Sequence, residues 1–241
     1  MPAIHDALRY RGNVCVSGLT ASGKTTHSHL LCGEFGTTYI SGSQIQLNFM
    51  GISPVQSREF WVTQEAKSLW NKEQFNRIDA ELLRLEALRN GCIFDTSTMP
   101  WRHQQPALCI WLDSSLASRA FKSIVSHHGN GDIRIDEYPR LIAEKDDATR
   151  SLYEGLYGIR IGEDLSPFDL VLDISSLITK PRLEEALSSI RTAHSIIRPA
   201  AAYYLTGAPR FRNAYLRAIR RHAKIVRFER VLAARRTLAQ G

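Results

Sequence analysis

Gly18-Leu19-Thr20-Ala21-Ser22-Gly23-Lys24-Thr25 follows the apolar run Asn13-Val14-Cys15-Val16-Ser17. The octapeptide fits G-x-x-x-x-G-K-[ST]. A β-rich run stands before it and the Pro-free segment Thr25 to Glu34 after it, so the motif falls where a strand would end and a helix begin. Each fixed position answers a need of phosphate binding. Backbone N–H groups must turn inward around a phosphate, and Gly18 and Gly23 permit the chain angles and the close approach. Lys24 brings positive charge to the β- and γ-phosphate oxygens, the Thr25 hydroxyl suits the Mg²⁺ that bridges them, and the opening helix adds its dipole. A plain turn would explain the glycines but not Lys24 and Thr25. Nucleotide binding is therefore the expectation.

Outward from this motif, five short β-rich runs are separated by longer helical patterns: Asn13 to Ser17, Thr37 to Ile40, Cys92 to Asp95, Ala107 to Leu112 and Asp169 to Leu172. The alternation predicts an α/β fold with a five-stranded, mainly parallel sheet covered by helices on both faces, with ligands at the C-terminal strand ends. Phe75, Ile78, Leu82, Leu85 and Leu88 predict a helix stopped by Asn90-Gly91. A second helix is expected from about Arg140 to Leu156. A third begins at Pro181, with Leu183, Leu187, Ile190, His194 and Ile197 on one face, and Pro199 is expected to end it. The polar stretch from Ser126 to Pro139 predicts a mobile surface turn, in which His127 and His128 are solvated loop residues rather than metal ligands.

The chain has 241 residues, 44% apolar and 23% charged, which suits one principal domain with a sizeable core. No apolar run approaches the roughly 18 residues of a membrane span, and Met1 to Arg11 lacks the apolar centre of a signal peptide, so a cytoplasmic protein without membrane contact is expected. Cys15, Cys32, Cys92 and Cys109 are widely spaced and suit small core hydrophobes in a reducing compartment. The net charge of +7 is uneven: residues 201–241 hold ten Lys or Arg against the single acid Glu229. Tyr215 to Leu238, with Leu216, Ile219, Ala223 and Val226 at helical spacing, predicts a basic amphipathic helix that either packs on the body or meets a protein partner or nucleic acid.

Several segments, in order, resemble the cytidylate kinase-like branch of the P-loop nucleoside monophosphate kinases. Besides Gly18 to Thr25 these are Tyr39-Ile40-Ser41-Gly42, Asp95 at the end of the third strand, Ile110-Trp111-Leu112 followed by Ser114, Leu116 and Arg119, Asp147-x-x-Arg150-x-x-Tyr153 to Tyr157-Gly158, and Phe168-Asp169-Leu170-Val171-Leu172. The likeness covers roughly residues 12–198. It implies a P-loop kinase domain over 1–198 with a helical lid at about 114–163, and leaves 199–241 as a basic helical extension. It implies ATP bound by Gly18, Leu19, Thr20, Ala21, Ser22, Gly23, Lys24, Thr25 and Thr26, with Arg119 beside the base, and Mg²⁺ at Thr25 and Asp95. Lys24, Asp95 and Arg150 are the implied catalytic residues, Arg150 as a lid cation closing on the transferring phosphate with Lys145 and Arg140 as helpers. Alternatives stay open for three of them. Asp95 is either a metal and proton-accepting carboxylate or a strand-end turn residue. Arg150 is either that clamp or the partner of Asp147 in a surface pair, and Arg119 is either a base-flanking or a solvated residue.

The resemblance breaks on the acceptor side. The family grips the acceptor phosphate with two Arg residues, and by spacing their places here are Leu47 and Ser97, neither of which can pair with phosphate. Arg58, Arg77 or Arg102 could compensate from nearby segments. Two kinase readings follow: transfer of the ATP γ-phosphate to a CMP-like nucleoside monophosphate, or to a hydroxyl of a nucleoside or other small metabolite, in a pocket of Ser41, Ser43, Asp95, Ser97 and Trp101. A third reading, from another class, is a nucleotide-binding protein without transfer, against which Lys24, Thr25, Asp95 and Arg150 together speak.

Overall fold

The computed structural model describes residues 10, 12–52, 72–127 and 134–240. Strand β1 (Asn13–Gly18) runs into the motif, and helix α1 (Lys24–Phe35) leaves it. Next come β2 (Tyr39–Ser41), α2 (Gly42–Phe49), α3 (Lys72–Leu88), β3 (Ile93–Asp95), α4 (Met99–Arg102) and β4 (Ala107–Asp113). Helices α5 (Leu116–His127) and α6 (Tyr138–Tyr157) pack on each other before β5 (Leu170–Asp173). The chain closes with α7 (Leu183–Thr206), α8 (Pro209–Arg221), β6 (Val226–Glu229) and α9 (Val231–Gln240).

The sheet order is β2-β3-β1-β4-β5-β6, all parallel except the last pair. Alternate residues of the central strands feed two separate cores. Val14, Val16, Leu108, Ile110, Leu170 and Leu172 face α1 and α7, whereas Cys15, Cys109, Trp111 and Val171 face α3 and α6. Burial on both faces is why these strands are continuous apolar runs rather than alternating ones. Because β1 lies between β3 and β4, the turn that follows it opens beside the C-terminal ends of both, with Val16 level with Asp95 and Gly18 level with Leu112.

Three expectations need correction. The sheet has six strands, not five: Val226–Glu229 pairs antiparallel with β5. The helical spacing of Leu216, Ile219, Ala223 and Val226 is real only as far as Arg221, where α8 stops. The unpaired edge of β5 offers backbone partners to a segment, Val226-Arg227-Phe228-Glu229, whose own alternation suits a strand, and pairing covers that edge. Pro199 lies inside α7 rather than ending it, and the boundary expected between residues 198 and 199 falls within this continuous helix. An interior Pro costs a helix about 3 kcal/mol. Here the turns around it bury Ile196, Ile197, Ala200, Ala201, Tyr204 and Leu205, which more than offsets that cost. The buried face of α7 also differs from the expected one, since Leu183 and Leu187 are exposed.

The basic tail is thus part of the body. The Tyr215 hydroxyl, itself buried, donates to Glu229 at 2.9 Å, Arg227 pairs with Asp113, and Arg230 donates to the Phe168 carbonyl at 2.7 Å. Helix α5 reaches His127 and a 3₁₀ turn at Ile135–Glu137 leads into α6, so nearly all of the described residues of the expected 126–139 turn are helical. The remainder of that turn, 128–133 with His128, lies outside the described residues, as do the His127 side chain, residues 1–9 and 11, and Arg58. Among the described residues no helix is long and apolar enough to cross a membrane.

Candidate active site

The turn from Gly18 to Gly23 is tightest at its first residue. A Cβ on Gly18 would meet the Leu112 carbonyl at 2.6 Å and collide with Ser22 Oγ. Gly23, at φ 104°, caps α1 in the left-handed region, and Ala21 is the one non-glycine residue with positive φ among those described, at 61°. Strain of this kind, of order 1–3 kcal/mol, is held by surrounding structure and aims backbone N–H groups inward. Behind the turn, Asp146 of α6 accepts from Thr20 N at 3.0 Å and is ion-paired with Arg119 of α5, both side chains almost fully buried. Arg119 also donates to the Thr20 and Ser114 carbonyls at 3.0 Å each. Helices α5 and α6 therefore brace the phosphate turn.

In front of the turn lies a cavity of about 610 Å³, within the usual size of a ligand site. All of Gly18 to Thr26 line it, together with Ser41, Ser43, Leu47, Asp95 and Ser97. Three lysines converge on it: Lys24, Lys122 of α5 and Lys145 of α6. Lys24 Nζ donates to the Leu19 carbonyl at 2.9 Å. Burial lowers its pKa, opposed by the nearby Asp95 and Asp146. Burial, then Arg119 and Lys24, push Lys122 down to about 7, and burial with Lys24 pushes Lys145 down to about 8. Mutually repelling, partly desolvated ammonium groups are what a bound polyanion relieves. On the other side of Lys24, Thr25 Oγ1 donates to Asp95 Oδ2 at 2.6 Å and the Tyr39 hydroxyl donates to the same oxygen at 2.9 Å. That hydroxyl and carboxylate form a hard, oxygen-only pair at the cavity wall, fit for a Mg²⁺ whose other ligands are phosphate and water.

Several expected residues stand elsewhere. Arg119 is buried beneath the turn in its pair with Asp146 rather than solvated, and it does not line the cavity. Arg150 donates to the Ile161 carbonyl at 3.3 Å and pairs with Asp147 at 3.2 Å, so in this structure it does not line the cavity. Arg140 pairs with Glu144 at 2.6 Å on an exposed surface. Trp101 is not in the pocket: its indole donates to Asp164 at 3.1 Å and its ring meets Phe168 edge-on in the core. The two described candidates for replacing the acceptor-side Arg pair are also engaged. Arg77 lies 4.9 Å over the Phe49 ring, and Arg102 pairs with Asp79 at 3.0 Å and covers Tyr157. Lys122 and Asp146 went unflagged in the sequence, and Tyr39 was read as part of the Tyr39-Ile40-Ser41-Gly42 motif but given no role. Only Lys122 left a signal, three residues after Arg119 on one helix face.

No family model matches the chain. Among curated proteins, it is 30% identical over 163 residues to the cytidylate kinase of Thermococcus kodakarensis, covering 66% of this chain and 78% of that one. It is 28% identical over 163 residues to the cytidylate kinase of Pyrococcus horikoshii, covering 67% and 79%. Among solved structures, shikimate kinase from Bacteroides thetaiotaomicron aligns over 78% of this chain and 98% of that one, at 10% identity and a TM-score of 0.44. With a phosphate turn between β1 and α1, two helices braced against it, and 30% identity across more than three-quarters of a relative, the chain belongs to the cytidylate kinase family of P-loop kinases and is a phosphotransferase of the nucleoside monophosphate kinase type.

Proposed function

We propose that this protein transfers the γ-phosphate of ATP to a nucleoside monophosphate of the CMP type. The observation that carries the reading is the convergence of Lys24, Lys122 and Lys145 on the one cavity that also holds the Thr25–Asp95 pair. The backbone of Gly18 to Gly23 wraps the β-phosphate, and Lys24 spans the β- and γ-phosphate oxygens. Thr25 would hold Mg²⁺ directly and Asp95 through a bound water, and that ion would neutralise charge on the phosphates. An acceptor phosphate oxygen then bonds to the γ-phosphorus as the bond to the β–γ bridging oxygen breaks, and ADP leaves. Lys145, on the lid-region helix and facing both Lys24 and the acceptor side, supplies positive charge to the equatorial oxygens. Arg150 joins it when the lid closes and its weak pair with Asp147 opens.

A second reading, phosphorylation of a hydroxyl on a nucleoside or small metabolite with Asp95 as proton acceptor, is favoured by one observation. Leu47 and Ser97 line the cavity where the family's phosphate-gripping Arg residues stand, while Arg77 and Arg102 are occupied elsewhere. Coupled ADP-release assays on CMP, dCMP, UMP, cytidine and hydroxylated metabolites separate the two. Turnover of CMP well above cytidine upholds the first; turnover only of unphosphorylated acceptors replaces it with the second.

A further inference from the structure

Packing on the body uses one face of α8 and leaves the other free. Tyr215 is fully buried, and Phe211, Ala218 and Ile219 lie against the same core as α7. On the opposite face Arg210, Arg217 and Arg221 recur at helical spacing with Arg220 beside them, and all four are exposed. Arg227 and Arg230 are the cations that tie the tail to the body. These four do not: among the described residues none of them makes an ion pair, and Glu229, the one acid of residues 201–241, accepts from Tyr215. Arg217 stands three residues from Arg220 and four from Arg221, so like charges repel along the helix. A bound polyanion removes that repulsion.

We propose that this face of α8 docks duplex DNA, held through its phosphates without regard to sequence. All four cations are Arg, whose planar fork pairs with phosphate oxygens two at a time. A helix lying on a membrane needs apolar side chains to enter the lipid, but the exposed large hydrophobics of the described residues end at Leu187. A single strand needs open aromatic rings on which to stack its bases. The tail's rings, Phe211 and Phe228, are half-buried, and Arg210 and Arg230 cover them at 4.8 and 4.7 Å. The helix geometry favours the B-form. From Arg210 to Arg221 the row runs about 16 Å along the helix axis, enough to reach phosphates on both sides of a major groove about 12 Å wide. In A-form RNA that groove is narrow, and the open one is read through 2′-hydroxyls. With its other face against α7, the helix lies across the groove rather than in it, which leaves the base edges unread.

The test is fluorescence anisotropy with the whole chain and a labelled DNA duplex of about two helical turns. Saturating ATP is present, so that the lysines of the cavity are already occupied. Expected is an affinity whose logarithm falls with the logarithm of salt concentration at a slope of about −4, close to one unit for each engaged Arg. Arg217→Ala combined with Arg220→Ala and Arg221→Ala should bring the slope to about −1 and weaken binding about a hundredfold at roughly 50 mM salt. Melting temperature and ADP release should not change, because these side chains touch neither the core nor the cavity. Absence of binding at low salt, or an unchanged slope in the triple variant, overturns the surface. So does binding that ATP abolishes, since the polyanion would then sit on Lys24, Lys122 and Lys145. An RNA duplex of the same sequence, the single DNA strand, or vesicles of phosphatidylserine and phosphatidylcholine bound as tightly as the DNA duplex would overturn the choice of partner. None of these readings depends on which acceptor the cavity takes.

Discussion

The two halves of the cavity are made differently. On the donor side, charge is dense and local: a strained backbone turn, three lysines, and a buried Arg119–Asp146 pair behind them. On the acceptor side, the chain places Leu47 and Ser97, and its nearest arginines serve other partners. On the proposed reading, the donor half recognises phosphate chiefly by electrostatics. The acceptor half must discriminate by shape and single hydrogen bonds, which contribute less and specify more.

The largest effect should come from the donor half. Lys24→Ala removes a preorganised charge aimed at the transferring phosphate and should lower kcat about 10³-fold, read by ADP release, while leaving the thermal melting temperature nearly unchanged. A loss below tenfold would mean that Lys122 and Lys145 already suffice. Next is the brace. Asp146→Asn keeps the shape of the side chain but strands the buried Arg119 charge, so stability should fall by about 3 kcal/mol or more in denaturant titration at constant m-value. Arg119→Met combined with Asp146→Leu should recover much of that loss, because no unpaired charge remains.

The lysines also predict a pH dependence confined to the donor half. Lys122 at about 7 and Lys145 at about 8 are charged below those values and neutral above them in the free protein. A bound polyphosphate holds them protonated, so ATP binding takes up protons and its affinity falls as pH rises. The sign follows from linkage: the bound state carries more protons, and each unit of pH above a group's free value weakens binding up to tenfold. Between pH 7 and 9 the affinity for ATP should drop at least tenfold, measured by calorimetry, and Lys122→Met should flatten the slope. Binding of an uncharged acceptor should not follow that slope.

How much of this was legible in the sequence tracks the same division. Gly18 to Thr25 is a backbone device whose parts are adjacent in the chain, so its place, its glycines and its helix could all be read from eight letters. The five parallel strands were legible because burial on two faces leaves unbroken apolar runs. Lys145 was legible only through the family resemblance and Asp146 not at all: both come to the site because α6 packs on α5 and against the turn, and no local pattern encodes that meeting. Trp101 was misplaced for the same reason, its indole finding Asp164 once the helices pack, while Arg150 stands in the surface pair with Asp147 that the sequence left open as its alternative. Val226–Glu229 needed knowledge of an open edge on β5.

The smallest effect is the sharpest test of the contrast. Ser97→Arg sets a guanidinium at the acceptor side of the cavity, where the half-buried Ser97 leaves room for a longer side chain. A charge-assisted bond to an acceptor phosphate contributes about 1.5–3 kcal/mol, of which ordering the Arg side chain takes back up to about 2 kcal/mol. The net should lower the KM for CMP by tenfold at most while leaving that for cytidine unchanged, as read by ADP release on the two acceptors side by side. Improvement confined to CMP would mean that the acceptor half is a phosphate site short of one charge. Loss with both acceptors would mean that the new side chain blocks the path of the acceptor, and that the acceptor half works by shape alone.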